Sequence, residues 1–290
     1  MVGSKRSRKP PLMGNHQKCW LWGRHSVVEL LRADRWHPIE IGMGADLPVS
    51  VVREVRAWAQ RHHCPVESWN DAEIEDRCRA SDHQGLIARM PEFPYHSVEE
   101  LLSLETPESV VFRSAKERPF AERKATTPAE RKATLPSRPA GGWCVLLDGI
   151  QDPFNFGAIL RSAEVLGANA AFVGGEQQCG VTAQVVRSSA GAVLHLPLAR
   201  GDSVSDIARS LQSRGFQLCG ASEKATQSPS EVDFRRPTCL VIGNEGRGIS
   251  PELLALCDQI VAIPQTGQVG SLNAAVAAGI LCYEIGRQRR

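Results

Sequence analysis

The chain has 290 residues, 42% hydrophobic and 23% charged, with a formal net charge of +2. This balance is typical of a soluble globular protein with a sizeable core, and the length allows about two domains. Apolar runs stay well short of the roughly 20 residues that cross a bilayer, and the basic N-terminus lacks an apolar stretch. The sequence therefore predicts neither a membrane span nor a secretory signal.

Cysteine and histidine patterns argue against disulfides and metals. Nine cysteines occur without a Cys-x-x-Cys pair, and several lie inside apolar runs. Buried, reduced thiols in the cytoplasm are expected. The eight histidines show neither a His-Glu-x-x-His motif nor paired spacing. No metal site is predicted.

The positive charge is concentrated in two segments. Residues 1–18 and residues 113–138 carry +5 each, which leaves about −8 for the rest of the chain. Basic arms of this kind suit a polyanion partner, usually nucleic acid. An equally good explanation of this charge is that it keeps the protein soluble.

Residues 1–18 contain two prolines and few apolar side chains, which predicts a disordered basic tail. Residues 19–104 follow as a small α/β domain, because predicted strands and amphipathic helices alternate there. Its predicted strands are 19–22, 39–43, 65–69 and 85–89. Its predicted helices start after Gly23 and cover 49–61, 71–77 and 98–104.

Residues 105–141 differ in character from both flanks. The hexapeptide at 121–126 recurs at 129–134, with prolines on either side and few large apolar groups. A short direct repeat of this composition is typical of a low-complexity linker.

Residues 142–290 are predicted to form a second domain. Strands and helices alternate throughout, which favours a mainly parallel sheet covered on both faces. The predicted strands are 145–147, 170–173, 193–196, 216–219, 239–242 and 260–263. The predicted helices are 156–166, 181–188, 204–214, 251–256 and 272–288.

Two of these strands lead into loops at 243–248 and 264–270, where a parallel sheet binds ligands. The first loop lacks the Lys-Ser pair of a nucleotide phosphate loop and the dinucleotide-binding spacing. Its glycines indicate either turn geometry or close approach of the backbone to a flat ligand. Glu245 in this loop could bond to a ribose or fix neighbouring backbone.

Three further polar residues stand out. Asn155 suits an N-cap for the helix at 156–166, and Ser271 suits one for the last helix. Arg161 lies in the second turn of a small, apolar helix, so it is either a surface residue or a clamp for phosphate or carboxylate. His195 is the only histidine after residue 96 and falls in a predicted strand, which argues against Ser-His-Asp hydrolysis.

The order of three motifs resembles the SpoU class of RNA ribose 2′-O-methyltransferases, within the knotted SPOUT superfamily. The motifs are DGIQDPFNFGAILRSA at 148–163, VIGNEGRGIS at 241–250, and the run from 263 through GSLN at 270–273. SSAGA at 188–192 also matches, so the resemblance covers residues 143–288.

Residues 19–104 resemble the ribosomal-protein-like RNA-binding domain that precedes the catalytic domain in part of this family. The similarity lies at 22–27 and 82–85. It implies that RNA is contacted by Arg24, His25, His83 and Gln84. The whole arrangement is most similar to bacterial enzymes that methylate a guanosine of large-subunit (23S) ribosomal RNA.

The resemblance implies a parallel sheet with a deep trefoil knot, S-adenosylmethionine as methyl donor, RNA as substrate, and a homodimer with the site at the subunit contact. Arg161 would be the catalytic arginine. The rest of the catalytic site would be Asn155, Glu245, Ser271 and Asn273. The methyl donor would be held by Gly243, Ile263, Leu272, Asn244, Gly246 and Pro264. The alternatives are ribose methylation of transfer RNA and a non-catalytic RNA-binding homologue.

Overall fold

The computed structural model describes residues 11–14, 19–103, 142–268 and 270–290. The predicted linker lies outside the described residues, as does most of the predicted tail. The prediction of disorder is wrong for residues 11–14, because Leu12 forms a β-bridge with Pro91 and the side chain of Met13 is buried. No helix in the described part of the chain is long and apolar enough to cross a membrane.

The first half forms a mixed four-stranded sheet flanked by helices, close to the predicted boundaries. Its elements are β1 (Trp20–Trp22), α1 (Arg24–Ala33), β2 (Glu40–Met43), α2 (Val49–His62), β3 (Val66–Ser68), α3 (Asp71–Cys78), β4 (Leu86–Arg89) and α4 (Val98–Ser103). The strand order is β1-β4-β2-β3. Only the β2–β3 pair is parallel, because β4 runs antiparallel to both of its neighbours.

The second half forms a six-stranded sheet in which every pair is parallel. Its strands are β5 (Trp143–Asp148), β6 (Ala170–Gly174), β7 (Leu198–Gly201), β8 (Gln217–Ala221), β9 (Thr238–Gly243) and β10 (Gln259–Val261). Its helices are α5 (Pro153–Val165), α6 (Ala183–Ser188), α7 (Val204–Gln212), α8 (Pro251–Leu254) and α9 (Ala274–Gln288). The order is β10-β8-β9-β5-β6-β7, with apolar side chains of the central strands buried on both faces.

The predicted strand at 193–196 is wrong. Residues Ala192–Leu194 form a 3₁₀ turn that follows Gly191 at a φ of 84°, and the strand begins only after Pro197. Proline lacks the N–H that a strand interior needs, but its carbonyl accepts the N–H of Ala171 and so begins the pairing. His195 therefore lies outside the sheet, where its Nε2 is 2.8 Å from Glu29 Oε1.

Both predicted caps at the site are also wrong. Helix α5 starts at Pro153, and Asp152 caps it by accepting the N–H groups of Phe154 and Asn155. Proline at the first helical position is pre-organised for this start. Helix α9 starts at Ala274 and is capped by Asn273, not by Ser271. Asn155 thus lies inside the first turn, where its side chain does not cap α5.

The two halves touch along the edge strand β7. His96 donates its backbone N–H to Leu198 and accepts that of Arg200, so residue 96 extends the sheet by one bridge. Arg187 on α6 pairs with Asp82 and lies over the Trp22 ring at 4.7 Å. The β1–α1 corner of the first half therefore rests on α6 of the second.

Candidate functional site

Two central strands bring the first two motifs together. β5 and β9 are parallel neighbours in a register that pairs Asp148 with Gly243, so their following loops leave the sheet side by side. The Asp148 carboxylate accepts the N–H of Ser250 at 2.7 Å. This bond joins the end of the loop that follows β9 to the end of β5.

Asn244 fixes the shape of the glycine-rich loop. Its backbone exchanges both hydrogen bonds with Gly248, at 3.0 and 2.8 Å. Its side-chain oxygen accepts the N–H groups of Gly246 and Arg247, and its Nδ2 donates to Gly149 O at 2.7 Å. The loop is thus a closed turn that is bonded to the loop after β5, which favours the turn-geometry interpretation for most of its length.

A row of side chains joins all three motifs. Glu245 Oε1 accepts from Asn155 Nδ2 at 3.0 Å, and Asn155 Oδ1 accepts from Asn273 Nδ2 at 3.0 Å. The Glu245 carboxylate also faces the backbone N–H groups of Gln151 and Asp152 at 3.5 and 3.4 Å. Of the two roles that the sequence left open for Glu245, the structure shows the second, the fixing of neighbouring backbone.

Arg161 lies six residues beyond Asn155 on α5, which is about 9 Å along the helix axis. The side chain is exposed and makes no hydrogen bond or ion pair with any described residue. The neighbouring helix α9 packs closely, since Gly279 lies beside Ser162. The guanidinium is therefore available to a ligand on the exposed face of α5.

A cavity of about 390 Å³ opens at the carboxyl ends of β8, β9 and β10. It includes Gly243, Asn244, Gly246, Ile263 and Leu272 of the predicted cofactor residues, together with Glu245 and Ser271. Pro264 is exposed and does not line it, and neither do Asn155, Arg161 and Asn273. The predicted set therefore divides into seven residues that line the cavity and four that lie outside its lining.

The sequence analysis missed the loop after β8. Ser222, Glu223 and Lys224 line the cavity because β8 lies between β9 and β10 in the sheet. That strand order is not readable from motif spacing, since β8 precedes β9 by a long connection. The only available signal was that the segment follows a predicted strand.

The volume falls in the range of small-molecule sites, and the lining suits a nucleoside joined to an amino acid. Ile242, Ile249, Val261 and Leu281 provide an apolar surface for a flat ring. Glu223 and Lys224 offer opposite charges for an ammonium and a carboxylate. These residues fit S-adenosylmethionine.

Comparisons with known proteins agree with this geometry. The SpoU rRNA Methylase family model matches residues 142–283. An uncharacterized tRNA/rRNA methyltransferase of Mycolicibacterium gilvum is 32% identical over 270 residues, covering 92% of this chain and 76% of that protein. A putative TrmH family tRNA/rRNA methyltransferase of Bacillus subtilis, YacO, is 26% identical over 275 residues, covering 95% of this chain and 98% of that protein.

Solved structures share the fold. The SpoU methyltransferase AviRb from Streptomyces viridochromogenes, in complex with AdoMet, superposes with a TM-score of 0.70 at 24% identity, covering 96% of this chain and 95% of that one. The AdoMet-bound rRNA methyltransferase from Sinorhizobium meliloti gives a TM-score of 0.71 at 23% identity, covering 93% of this chain and 87% of that one.

The fold is a parallel α/β sheet with a cavity at the carboxyl ends of its strands, where sheets of this class bind ligands. The chain belongs to the SpoU methylase family, as the sequence motifs predicted. It is an S-adenosylmethionine-dependent RNA methyltransferase of the SpoU/TrmH type.

The four residues suggested as RNA contacts do not have equivalent surroundings. Arg24 and His25 are exposed at the start of α1. Gln84 is exposed, and its Oε1 accepts the N–H of Arg24 at 3.2 Å. His83 is only 5% exposed, and its Nδ1 accepts the N–H of Gly85 at 3.0 Å. The suggestion for His83 is corrected, because its ring shapes the turn before β4 and is not at the surface.

The corrected cap of α9 leads to a stability prediction. Asn273→Ala is expected to lower the free energy of unfolding by about 1 kcal/mol, because the side chain accepts the N–H groups of Ala275 and Val276. Ser271→Ala should change it by less than about 0.5 kcal/mol. Urea unfolding of both variants measures the difference, and a larger loss for Ser271→Ala than for Asn273→Ala would return the cap to Ser271.

Proposed function

We propose that this enzyme methylates a ribose 2′-hydroxyl in RNA, most favourably a guanosine of 23S ribosomal RNA. The observation that carries the proposal is Arg161, which is exposed and has no partner among the described residues, on the helix that begins at the junction of all three motif loops. S-adenosylmethionine supplies an electrophilic methyl group, so the protein must position the hydroxyl and assist loss of its proton.

Arg161 orients the 2′-oxygen and the neighbouring phosphate, and it stabilises the negative charge that develops on that oxygen. A guanidinium keeps its proton at ordinary pH, which favours an electrostatic role over that of a base. Planar bidentate bonding suits phosphate recognition. Asn155, Glu245 and Asn273 hold the three loops in register, and Ser271 faces the cavity beside them.

The methyl donor lies along Gly243, Ile263 and Leu272, with Asn244 and Gly246 shaping the adjoining turn. Exposed Pro264 borders the site from outside the cavity lining. A C-terminal trefoil knot would enclose this pocket. Helix α9 packs on α5, and Phe234 N–H donates to Gln288 Oε1 at 3.0 Å, so the chain end lies against the second half.

The first half of the chain serves as the RNA-binding domain in this proposal. Arg24, His25 and Gln84 lie at the corner that rests on α6, and the two basic segments add charge for the phosphate backbone. The resemblance of this half to a ribosomal-protein-like RNA-binding domain favours ribosomal RNA over transfer RNA. Six of the nine cysteines are buried, as expected of thiols in a reducing compartment, which supports a cytoplasmic location.

An apolar surface on α5 and α9 supports a homodimer. Seven large hydrophobic side chains are exposed among the described residues, and only Val49 lies away from this surface. The other six share two adjacent helices or the segment just before the second: Phe154, Val165, Leu272, Val276, Ile280 and Tyr283. Contiguous exposed apolar surface of this kind marks protein interfaces. A second copy placed here would complete the site beside Arg161.

Ile280→Glu is expected to convert a dimer to monomers, because it places a charge in the centre of this apolar surface. Val49→Glu is the matched control, since Val49 is 75% exposed on α2, away from the surface. Light scattering coupled to size exclusion reports the mass of each variant. A dimer that survives Ile280→Glu would place the subunit contact elsewhere.

The reaction is tested by incubating the purified chain with labelled S-adenosylmethionine and unmethylated 23S ribosomal RNA or transfer RNA. Nuclease digestion and mass spectrometry should find the label on the ribose of a guanosine from ribosomal RNA. Label on a base would refute ribose chemistry. Label on transfer RNA alone would select that alternative, and calorimetric cofactor binding without turnover on either RNA would favour a non-catalytic homologue.

A further inference from the structure

Two histidines and a carboxylate converge in the first half of the chain, where α1 and α2 end. Asp34 follows α1 in the left-handed conformation, at a φ of 52°, and His62 is the last residue of α2. His37 comes from the segment before β2. Its Nε2 lies 3.2 Å from Asp34 Oδ1, and His62 Nε2 lies 3.1 Å from the same oxygen.

The spacing of these three atoms suits a small cation. All three lie within 4.8 Å of one another. In a tetrahedral zinc site with bonds of about 2.0–2.1 Å, neighbouring ligand atoms are about 3.3 Å apart. Two of the three separations already match this value. Rotation of His37, whose side chain is 49% exposed, can close the third.

Trp58 holds two of the three side chains in place. Its indole Nε1 donates to Asp34 Oδ1 at 2.9 Å, and its ring stacks on His62 with centroids 4.2 Å apart and planes 18° from parallel. Partners of this kind orient metal ligands and raise affinity. An isolated pair of surface histidines would lack such support.

The electrostatic balance favours a bound cation moderately. The negative ends of two helix dipoles meet here, and Asp34 adds a full charge. The adjacent Arg61 acts in the opposite sense, because its positive charge repels a cation.

We propose that Asp34, His37 and His62 bind one divalent cation of the zinc class, with water in the fourth position. Two imidazoles and one carboxylate form a donor set that suits zinc, copper or nickel better than magnesium. Because its ligands come from the ends of two helices and the segment between α1 and β2, the cation would tie those elements together. The histidine spacing gave no sign of the site, since His37 and His62 lie 25 residues apart in the chain.

The test uses the full chain without a histidine tag, stripped with EDTA and titrated with zinc chloride. Calorimetry should show one saturable site, and the melting temperature should rise with zinc. Cobalt should give a visible spectrum without a thiolate charge-transfer band. Nearby Cys64 is not expected to ligate, because its thiol donates to Pro38 O.

Asp34→Asn is the sharpest variant, because asparagine tolerates the left-handed backbone and keeps an acceptor for Trp58. It should lose at least about tenfold in zinc affinity, as should His37→Gln and His62→Gln. His63→Asn, which alters the adjacent exposed histidine at a φ of 52°, should bind zinc as the wild type does. No saturable site, or equal affinity in all four variants, would overturn the proposal and leave a hydrogen-bonded His-Asp-His cluster.

Discussion

Arg161→Ala is expected to abolish methyl transfer to RNA while S-adenosylmethionine still binds. Loss of one group that stabilises developing charge costs about 10²- to 10³-fold in kcat, and loss of the phosphate contact adds to this in kcat/KM. The cavity should be unaffected, because Arg161 does not line it and has no described partner that the variant would leave unsatisfied.

Single-turnover methylation measures the loss of methyl transfer, and calorimetry measures whether S-adenosylmethionine still binds. Arg209→Ala is the matched control, because Arg209 is an exposed helical arginine on α7 that pairs only with Asp206 among the described residues. Arg161→Lys should recover a small part of the rate, since an ammonium retains the charge but not the planar fork. Full turnover in Arg161→Ala would remove this residue from the catalytic site.

Gly243→Ala is expected to disrupt the cofactor pocket and destabilise the fold. A Cβ atom at this position would lie 2.1 Å from Gly248 C and from Ile249 N. Both are backbone atoms of the closed turn, so the turn itself must move away from β9. Overpacking of this kind costs about 1–3 kcal/mol, and the displaced turn should lower S-adenosylmethionine affinity at least about tenfold.

Gly246→Ala separates this steric effect from a general need for glycine in the loop. A Cβ atom there meets only Asn244 Oδ1, at an ordinary 3.6 Å. Its unfolding free energy should stay within about 0.5 kcal/mol of the wild type. Urea unfolding and calorimetry on both variants make the comparison. Similar cofactor affinity in the two would show that the backbone contact at Gly243 does not shape the pocket.

Regular elements of the fold could be predicted because their signals are local. The alternating apolar runs placed β5, β9 and α7 within a few residues of their observed bounds. The failures occurred where a local signal was ambiguous. Val193 and Leu194 are as apolar as a strand, but Gly191 in the left-handed region and Pro197 turn the chain before pairing begins.

The candidate site was predicted in its residues but not in its connections. The motifs singled out Asn155, Glu245 and Asn273, yet the bonds among them span 90 and 118 residues of sequence. Helix caps are similarly ambiguous, because Asp152 and Asn155 are both good capping types. Only the observed start of α5 shows which side chain caps it and which is left to join the row.

The sequence by itself determined the order of strands and helices, the family, the methyl donor and the residues that carry the motifs. These depend on local periodicity and on residue types at short spacing. The tertiary structure alone decided that β8 lies between β9 and β10, which brings Glu223 and Lys224 to the cavity. It also buried His83 and gathered Asp34, His37 and His62. Such contacts follow from sheet order and helix packing, which join segments far apart in the chain and leave no periodic pattern within either one.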